Sequence, residues 1–348
     1  MSQIRADYSK NQINNAGLVI AKNYGDIKAL RLINSWREIH IESMDVVFSN
    51  IKVLAPNTNT IIAERLKRLS TIVDKVQRFP TMRLSSMQDI AGVRIILPDI
   101  TDIQRFIKKA TKPTADYKPV KLPTNYIADP KSDGYRGVHV VYKFTDSGLF
   151  VELQIRSHLQ HVWATAIESM GIYLDQPFKN GGGDGQWREF FALVSSAFAY
   201  FESSDPIKRH KKIGLAGIYK KIEKLNGEID AVAHIQSFAK MGETLNTSIQ
   251  TARKLSKMVT PKKSKYALMS LDLQKKEVKV KLFSKNKSQR VMQAYKKMEK
   301  RSSRYDQVLV SVSKMSELAE AYPNYFLDLQ QFSVMVVTML EEYGKSVV

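Results

Sequence analysis

Gly148-Leu149-Phe150-Val151-Glu152-Leu153-Gln154-Ile155-Arg156 alternates apolar and polar residues. Val151, Leu153 and Ile155 take one side of a period-two repeat, and Glu152, Gln154 and Arg156 take the other. This is the pattern of a strand with one buried face. The polar face holds an acid, an amide and a guanidinium in a row. It is either an ordinary solvated face or one wall of a site, and its companions decide which. Upstream, Gly134-Tyr135-Arg136 opens a strand over Val138–Phe144, and Asp146-Ser147-Gly148 turns it back, a β-hairpin by its spacing. Downstream, Ser157 is placed to cap a helix over 158–170. That helix buries Leu159, Val162, Ala166 and Met170, turns His158, His161, Thr165 and Glu168 the other way, and stops at Gly171.

Farther out, residues 1–60 read as an N-terminal helical segment. Leu30, Leu32, Ile33, Trp36, Ile39 and Ile41 stand at roughly helical spacing, with Trp36 and His40 as packing residues. After a break at 55–60, the pattern predicts one basic helix over 61–77, ended by Pro80. It carries Arg65, Lys67, Thr71 and Lys75 beside a stripe of Ile62, Leu66, Leu69, Ile72 and Val76. Asp89 stands at the mouth of a buried strand over 90–97 that contains Arg94. Asp89 and Arg94 have opposite parity, so either Asp89 lies outside the ladder or Gly92 marks a bulge. Residues 101–111 form a short helix and 114–133 a loop. Gly181-Gly182-Gly183-Asp184-Gly185 lacks the context of a P-loop and reads as a linker. Residues 186–260 read as a helical segment. Residues 261–348 form a basic C-terminal ββαβα module: a hairpin of 266–273 and 278–283, a helix over 289–301, a strand over 307–312, and mostly helix over 316–340. The fold class is α+β, with a mixed-sheet domain over 61–185 flanked by helices.

The chain has 348 residues, enough for two or three domains. No apolar run reaches membrane-spanning length and the start is polar, so a cytoplasmic protein without a membrane partner is expected. The absence of cysteine excludes disulfides, thiolate zinc sites and a cysteine nucleophile. Residues 1–205 hold 26 basic and 21 acidic residues, while 206–348 hold 28 and 13. Most of the net charge of +20 therefore lies in the second part, which suggests a polyanionic partner.

Acids that hold Mg²⁺, cations that hold phosphates and a ring that stacks a base are what nucleotidyl or pyrophosphoryl transfer needs. Several stretches also resemble the RelA/SpoT synthetase family in order and spacing. They are Arg65-Leu66-Lys67 with Thr71 and Lys75, then Met87-Gln88-Asp89-Ile90-Ala91-Gly92-Val93-Arg94. Tyr126-Ile127-Ala128-Asp129-Pro130-Lys131 with Gly134-Tyr135-Arg136 and His139 follows, and then Val151–Arg156 with His161 and Trp163. The resemblance covers about residues 60–170. It implies an ATP-dependent pyrophosphokinase that makes the alarmones ppGpp and pppGpp from ATP and GDP or GTP. By the same resemblance, Asp89 and Glu152 are the catalytic, Mg²⁺-holding acids. Arg65, Lys67, Thr71, Lys75 and Arg94 bind ATP. Lys131, Tyr135, His139, Gln154, Arg156 and His161 serve the acceptor side.

Two departures from the family pattern stand out, the first bearing on the acceptor and the second on ATP. Many family members carry a lysine just before the acceptor-loop Asp-Tyr-Ile; here the loop reads Pro123-Thr124-Asn125-Tyr126-Ile127, with Lys121 three residues before Thr124. A second adenine-stacking arginine has only Arg105 as a candidate. These features and the basic second part keep two alternatives open: a toxin-like transfer to the 3′ end of tRNA, and a catalytically inactive nucleic-acid-binding regulator. A homo-oligomer is compatible with the sequence. No His-Asp dipeptide occurs, so the family's alarmone hydrolysis is not expected.

Overall fold

The computed structural model describes residues 9–240 apart from 24–25, 57–58 and 179–180, then 264–272, 277–284, 295, 305–312, 322 and 329–347. Its centre is one mixed sheet. The strands are β1 (Ile61–Leu66), β2 (Ala91–Leu97), β3 (Tyr117–Pro119), β4 (Thr124–Asn125), β5 (Val138–Phe144), β6 (Phe150–Ser157), β7 (Ser264–Asp272), β8 (Glu277–Ser284) and β9 (Tyr305–Val312). Their order is β3-β5-β6-β2-β1-β9-β7-β8, with β4 beside β5. Strands β2 and β6 run parallel, and β5 returns antiparallel on β6 as the hairpin spacing predicts.

Helices cover both faces. On one, α2 (Ile27–Leu54) and α4 (Ile100–Ala110) bury Val47, Phe48, Ile51, Ile103 and Phe106 against Ile62, Val93, Ile95 and Leu153. On the other, α5 (His158–Tyr173) and α6 (Gly185–Phe201) bury Val162, Trp163, Ala166 and Phe190 with Ile61, Ala63 and Ile96. A third cluster joins α1 (Lys10–Lys22), the start of α2 and α3 (Leu69–Arg78). Beyond α6 come α7 (Gly214–Ile229), a helical stretch over 231–240 and the C-terminal helix Gln330–Val347. No helix among the described residues is long and apolar enough to cross a membrane.

Several expectations are corrected. Residues 61–66 are not the first turns of a basic helix but strand β1; helix begins only at Leu69. Ile62 and Leu66, four apart, suit one face of either a helix or a strand, and β1 is paired on both edges by β2 and β9. Helix α5 continues through Gly171 to Tyr173, and His161 and Thr165 on its supposedly polar side are buried, because α5 contacts α6 as well as the sheet. The hairpin β7–β8 forms as expected. It is not a sheet of its own, however: β9 pairs with β1, so the C-terminal strands prolong the central sheet. The helix expected over 289–301 and the segment 316–328 lie outside the described residues, apart from Tyr295 and Tyr322. Asp89 lies in the turn before β2 and so outside the ladder, and the β2 register is unbroken, so of the two arrangements its parity allowed the first holds and Gly92 marks no bulge.

Candidate active site

Strand register gathers the polar residues. Pairing sets Arg65 beside Gly92 and Gly92 beside Glu152. One step on, Ala63, Arg94, Gln154 and His139 stand in a row across β1, β2, β6 and β5. Cross-strand neighbours share a face, so these residues project on the side of Ala63 and Ile96, where α5 and α6 pack. Glu152 and Gln154 of the polar face of β6 are therefore half-buried and not simply solvated. A solvent-open cavity lies over this face. Arg65, Lys67, Asp89, Arg94, Glu152 and Gln154 line it, together with Ala63, Gly92, Val93 and Tyr322. Six of the expected site residues thus meet in one cavity.

Asp89 is gripped by two ammonium groups: Lys67 Nζ lies 2.8 Å from Oδ2 and Lys75 Nζ 2.9 Å from Oδ1. Burial works against the carboxylate, but these two cations hold its pKa below the usual range. Lys67 is itself pushed down by burial, in spite of Asp89. Its backbone is fixed twice: its N–H donates to Ile90 O at 2.8 Å, and its carbonyl accepts from Nε of the fully buried Arg37 at 3.0 Å. The link between β1 and α3 and the turn before β2 are thus tied together.

Glu152 sits in a second chain of contacts. His139 Nδ1 is 3.0 Å from Oε1, and Gln154 Nε2 donates to Oε2 at 2.8 Å. On its other side, His139 Nε2 is 2.5 Å from the Tyr135 hydroxyl, which accepts from Arg156 Nη2 at 3.1 Å. Burial opposes both charges, yet His139 holds Glu152 below the ordinary carboxylate range, while Tyr135 and Glu152 raise His139 to about 9. Burial would also raise Tyr135, but Arg156 and His139 bring it down to about 8. Lys131 Nζ stands 4.7 Å from the Tyr126 ring centroid and 4.9 Å from that of Tyr135.

The loop that carries Lys131 and Tyr135 is fastened from behind. Gly134 has φ +100°, and a Cβ there would meet Trp163 Cζ2 at 2.7 Å and Ser195 Cβ at 2.9 Å. Ser195 Oγ donates to Gly134 O at 2.6 Å, and buried Arg136 donates to Asp205 O at 2.8 Å. Asn125 is a turn residue: its Oδ1 accepts from the N–H groups of Ile127 and Ala128.

Other expected residues stand elsewhere. Thr71 spends its hydroxyl on Arg68 O at 2.8 Å in the first turn of α3, and His161 is buried in α5; neither lines the cavity. Arg105 is largely exposed on α4, which packs on the opposite face of the sheet, so it is not a stacking group for this cavity. Lys121 is exposed between β3 and β4. Two aromatic residues were not singled out as site residues: Tyr126, whose only signal is its place beside the Lys131 motif, and Tyr322, which no local pattern marks.

Comparison with known proteins bears out the resemblance to the RelA/SpoT family. Residues 64–177 match the family model described as a region found in RelA / SpoT proteins. The GTP pyrophosphokinase YjbM of Bacillus subtilis (strain 168) is 35% identical over 117 residues, 31% of this chain and 54% of that protein. The GTP pyrophosphokinase YwaC of the same organism is 34% identical over 112 residues, 29% of this chain and 52% of that one. The chain spans about half the length of these curated relatives. Among solved structures, small alarmone synthetase 1 from Bacillus subtilis bound to its product pppGpp is 25% identical, covering 48% of this chain and 93% of that chain with a TM-score of 0.41. Small alarmone synthetase 2 from Bacillus subtilis is also 25% identical, covering 50% and 94%, with a TM-score of 0.41. The chain carries a RelA/SpoT region over residues 64–177.

Proposed function

We propose that this chain, with its RelA/SpoT region, is an ATP-dependent pyrophosphokinase that moves the β,γ-pyrophosphate of ATP to the ribose 3′-hydroxyl of GDP or GTP and releases AMP. The observation that carries this is the meeting of Asp89 and Glu152 in one cavity walled by Arg65, Lys67 and Arg94. Two carboxylates facing an otherwise cationic wall suit a polyphosphate whose charge must be neutralised while an alcohol is deprotonated.

In this reading the acceptor 3′-oxygen attacks the β-phosphorus, the bond to the α-phosphate oxygen breaks, and AMP leaves. Glu152, ionised and oriented by His139 and Gln154, takes the hydroxyl proton. Arg65, Lys67 and Arg94 hold the triphosphate, with Lys75 behind Asp89. Tyr135 and Lys131 receive the acceptor base and phosphates, and Arg156 steadies the Tyr135 ring. The residues also suit Mg²⁺: Asp89 and Glu152 offer hard oxygen donors, and Mg²⁺ takes one or two carboxylates plus substrate phosphates. Among the described residues no group of three or more such side chains forms a cage, in keeping with an ion that arrives with its nucleotide. When bound, the ion would neutralise phosphate charge and polarise the bond to be broken. Asp89 also pairs with Lys67 and Lys75, so the ion would share this carboxylate with two ammonium groups.

The test offers ATP labelled on its β and γ phosphates together with GDP, GTP or deacylated tRNA in separate reactions. Label in GDP or GTP supports the proposal. Label in tRNA alone replaces it with transfer to tRNA, the acceptor favoured by the basic second part of the chain. Label in neither, with RNA binding intact, leaves an inactive binding protein.

A further inference from the structure

Among the described cavity-lining residues, Tyr322 alone comes from beyond residue 177, where the RelA/SpoT match ends. Its hydroxyl donates to the carbonyl of Glu64 at 3.0 Å, and its side chain is only 2% exposed. Glu64 lies in β1 between Ala63 and Arg65, both of which line the cavity. The outer edge of that stretch is paired by β9, with Ala63 opposite Val312 and Arg65 opposite Val310. Two separate pieces of the C-terminal part therefore hold the strand that presents Arg65.

The ring of Tyr322 also serves Arg94, whose guanidinium carbon stands 5.9 Å from its centroid. Arg94 is in difficult company: burial depresses its pKa to about 10, and Arg156 and Arg65 add repulsion. An aromatic face attracts a desolvated guanidinium without neutralising it. The Glu168 carboxylate also favours the charged form of Arg94. Tyr322 stays neutral here, because burial raises its hydroxyl to about 12.

We propose that Tyr322 is a positioning residue of the nucleotide site: it holds β1 and Arg94 in the arrangement that receives a triphosphate, and so makes the C-terminal part a working portion of the cavity. This deepens the reading of the cavity as a triphosphate site and rests on it. The probe is inorganic tripolyphosphate titrated into the full chain by calorimetry, which needs no base, acceptor or transfer step. Tyr322→Leu, which keeps an apolar side chain in the core, is expected to bind tripolyphosphate about tenfold more weakly than the parent. Tyr322→Phe, which keeps the ring, stays within about threefold. In the transfer assay Tyr322→Leu raises KM for ATP while kcat and the acceptor KM hold.

Parent-like tripolyphosphate binding by Tyr322→Leu at an unchanged melting temperature overturns the proposal. So does equal loss of ATP and acceptor affinity, which marks a merely structural role, and so does a parent that binds no tripolyphosphate. If Tyr322→Leu loses its fold, Tyr322→Met is judged by the same criteria. A parent that binds tripolyphosphate and loses it in Tyr322→Leu, yet transfers nothing, sinks the enzymatic reading and supports the role of Tyr322.

Discussion

His139 joins Glu152 to Tyr135, with Nδ1 3.0 Å from the carboxylate and Nε2 2.5 Å from the phenol. One imidazole thus couples the acid proposed to take the acceptor proton to the ring proposed to seat the acceptor base. Acceptor binding and proton removal share a side chain, and disturbing either end should be felt at the other.

Glu152→Gln keeps the shape and the Gln154 and His139 neighbours but removes the charge. Transfer should fall by roughly a thousandfold or more, with the melting temperature within a few degrees of the parent. Near-parental activity in a steady-state assay would remove Glu152 from its proposed role.

Burial resists charge on His139, but Tyr135 and Glu152 raise its pKa from 6.5 to about 9. A group raised on folding stabilises fully below its unfolded pKa, and that contribution fades as pH rises through the folded one. His139→Gln should therefore be less stable than the parent at about pH 6, and the gap should close by about pH 10 in denaturant titrations. A gap that widens with pH contradicts the assigned charge.

Lys67 and Lys75 hold Asp89 as a carboxylate. Lys67→Met should lower kcat/KM for ATP by about a hundredfold through lost phosphate binding, with Lys75 still paired to Asp89. Kinetics at several ATP concentrations, with the acceptor saturating, check this.

Gly92 lies in the cavity floor between Arg65 and Glu152, and a Cβ there would come no closer than 3.8 Å to its neighbours. Backbone sterics do not demand glycine; an open floor does. Gly92→Val should fold as well as the parent, since β-branched residues suit strands, while nucleotide binding is blocked. Circular dichroism and ATP titration separate the two effects.

Gly134 is the opposite case, with φ +100° and neighbours at 2.7 and 2.9 Å from a would-be Cβ. Gly134→Ala should cost about 2 kcal/mol or more and loosen the Lys131–Tyr135 loop, raising the acceptor KM more than that for ATP.

Much of this site was legible because its chemistry lies in short runs. The alternation of 151–156 fixed which side chains share a face, and the parity of Asp89 and Arg94 left two arrangements, an acid outside the ladder or a bulge at Gly92, between which the unbroken β2 register chooses the first. Strand β1 was misread because Ile62 and Leu66 satisfy both periods and only its partners β2 and β9 choose between them. His161 was placed on a polar face because heptad-like spacing does not reveal that a second helix covers it. Tyr322 left no local trace at all, since both groups it touches, the Arg94 guanidinium and the Glu64 carbonyl, lie far away in sequence.

That bond spans 258 positions. Chains emerge from the ribosome N-terminal end first and fold as they lengthen. A nascent molecule made only as far as α7 therefore has every acid and cation of the RelA/SpoT region, yet β1 still lacks β9 and Tyr322. The groups proposed to be catalytic are synthesised early and part of their scaffold late, so in this reading the timing of translation delays the completed cavity until nearly the whole described chain exists.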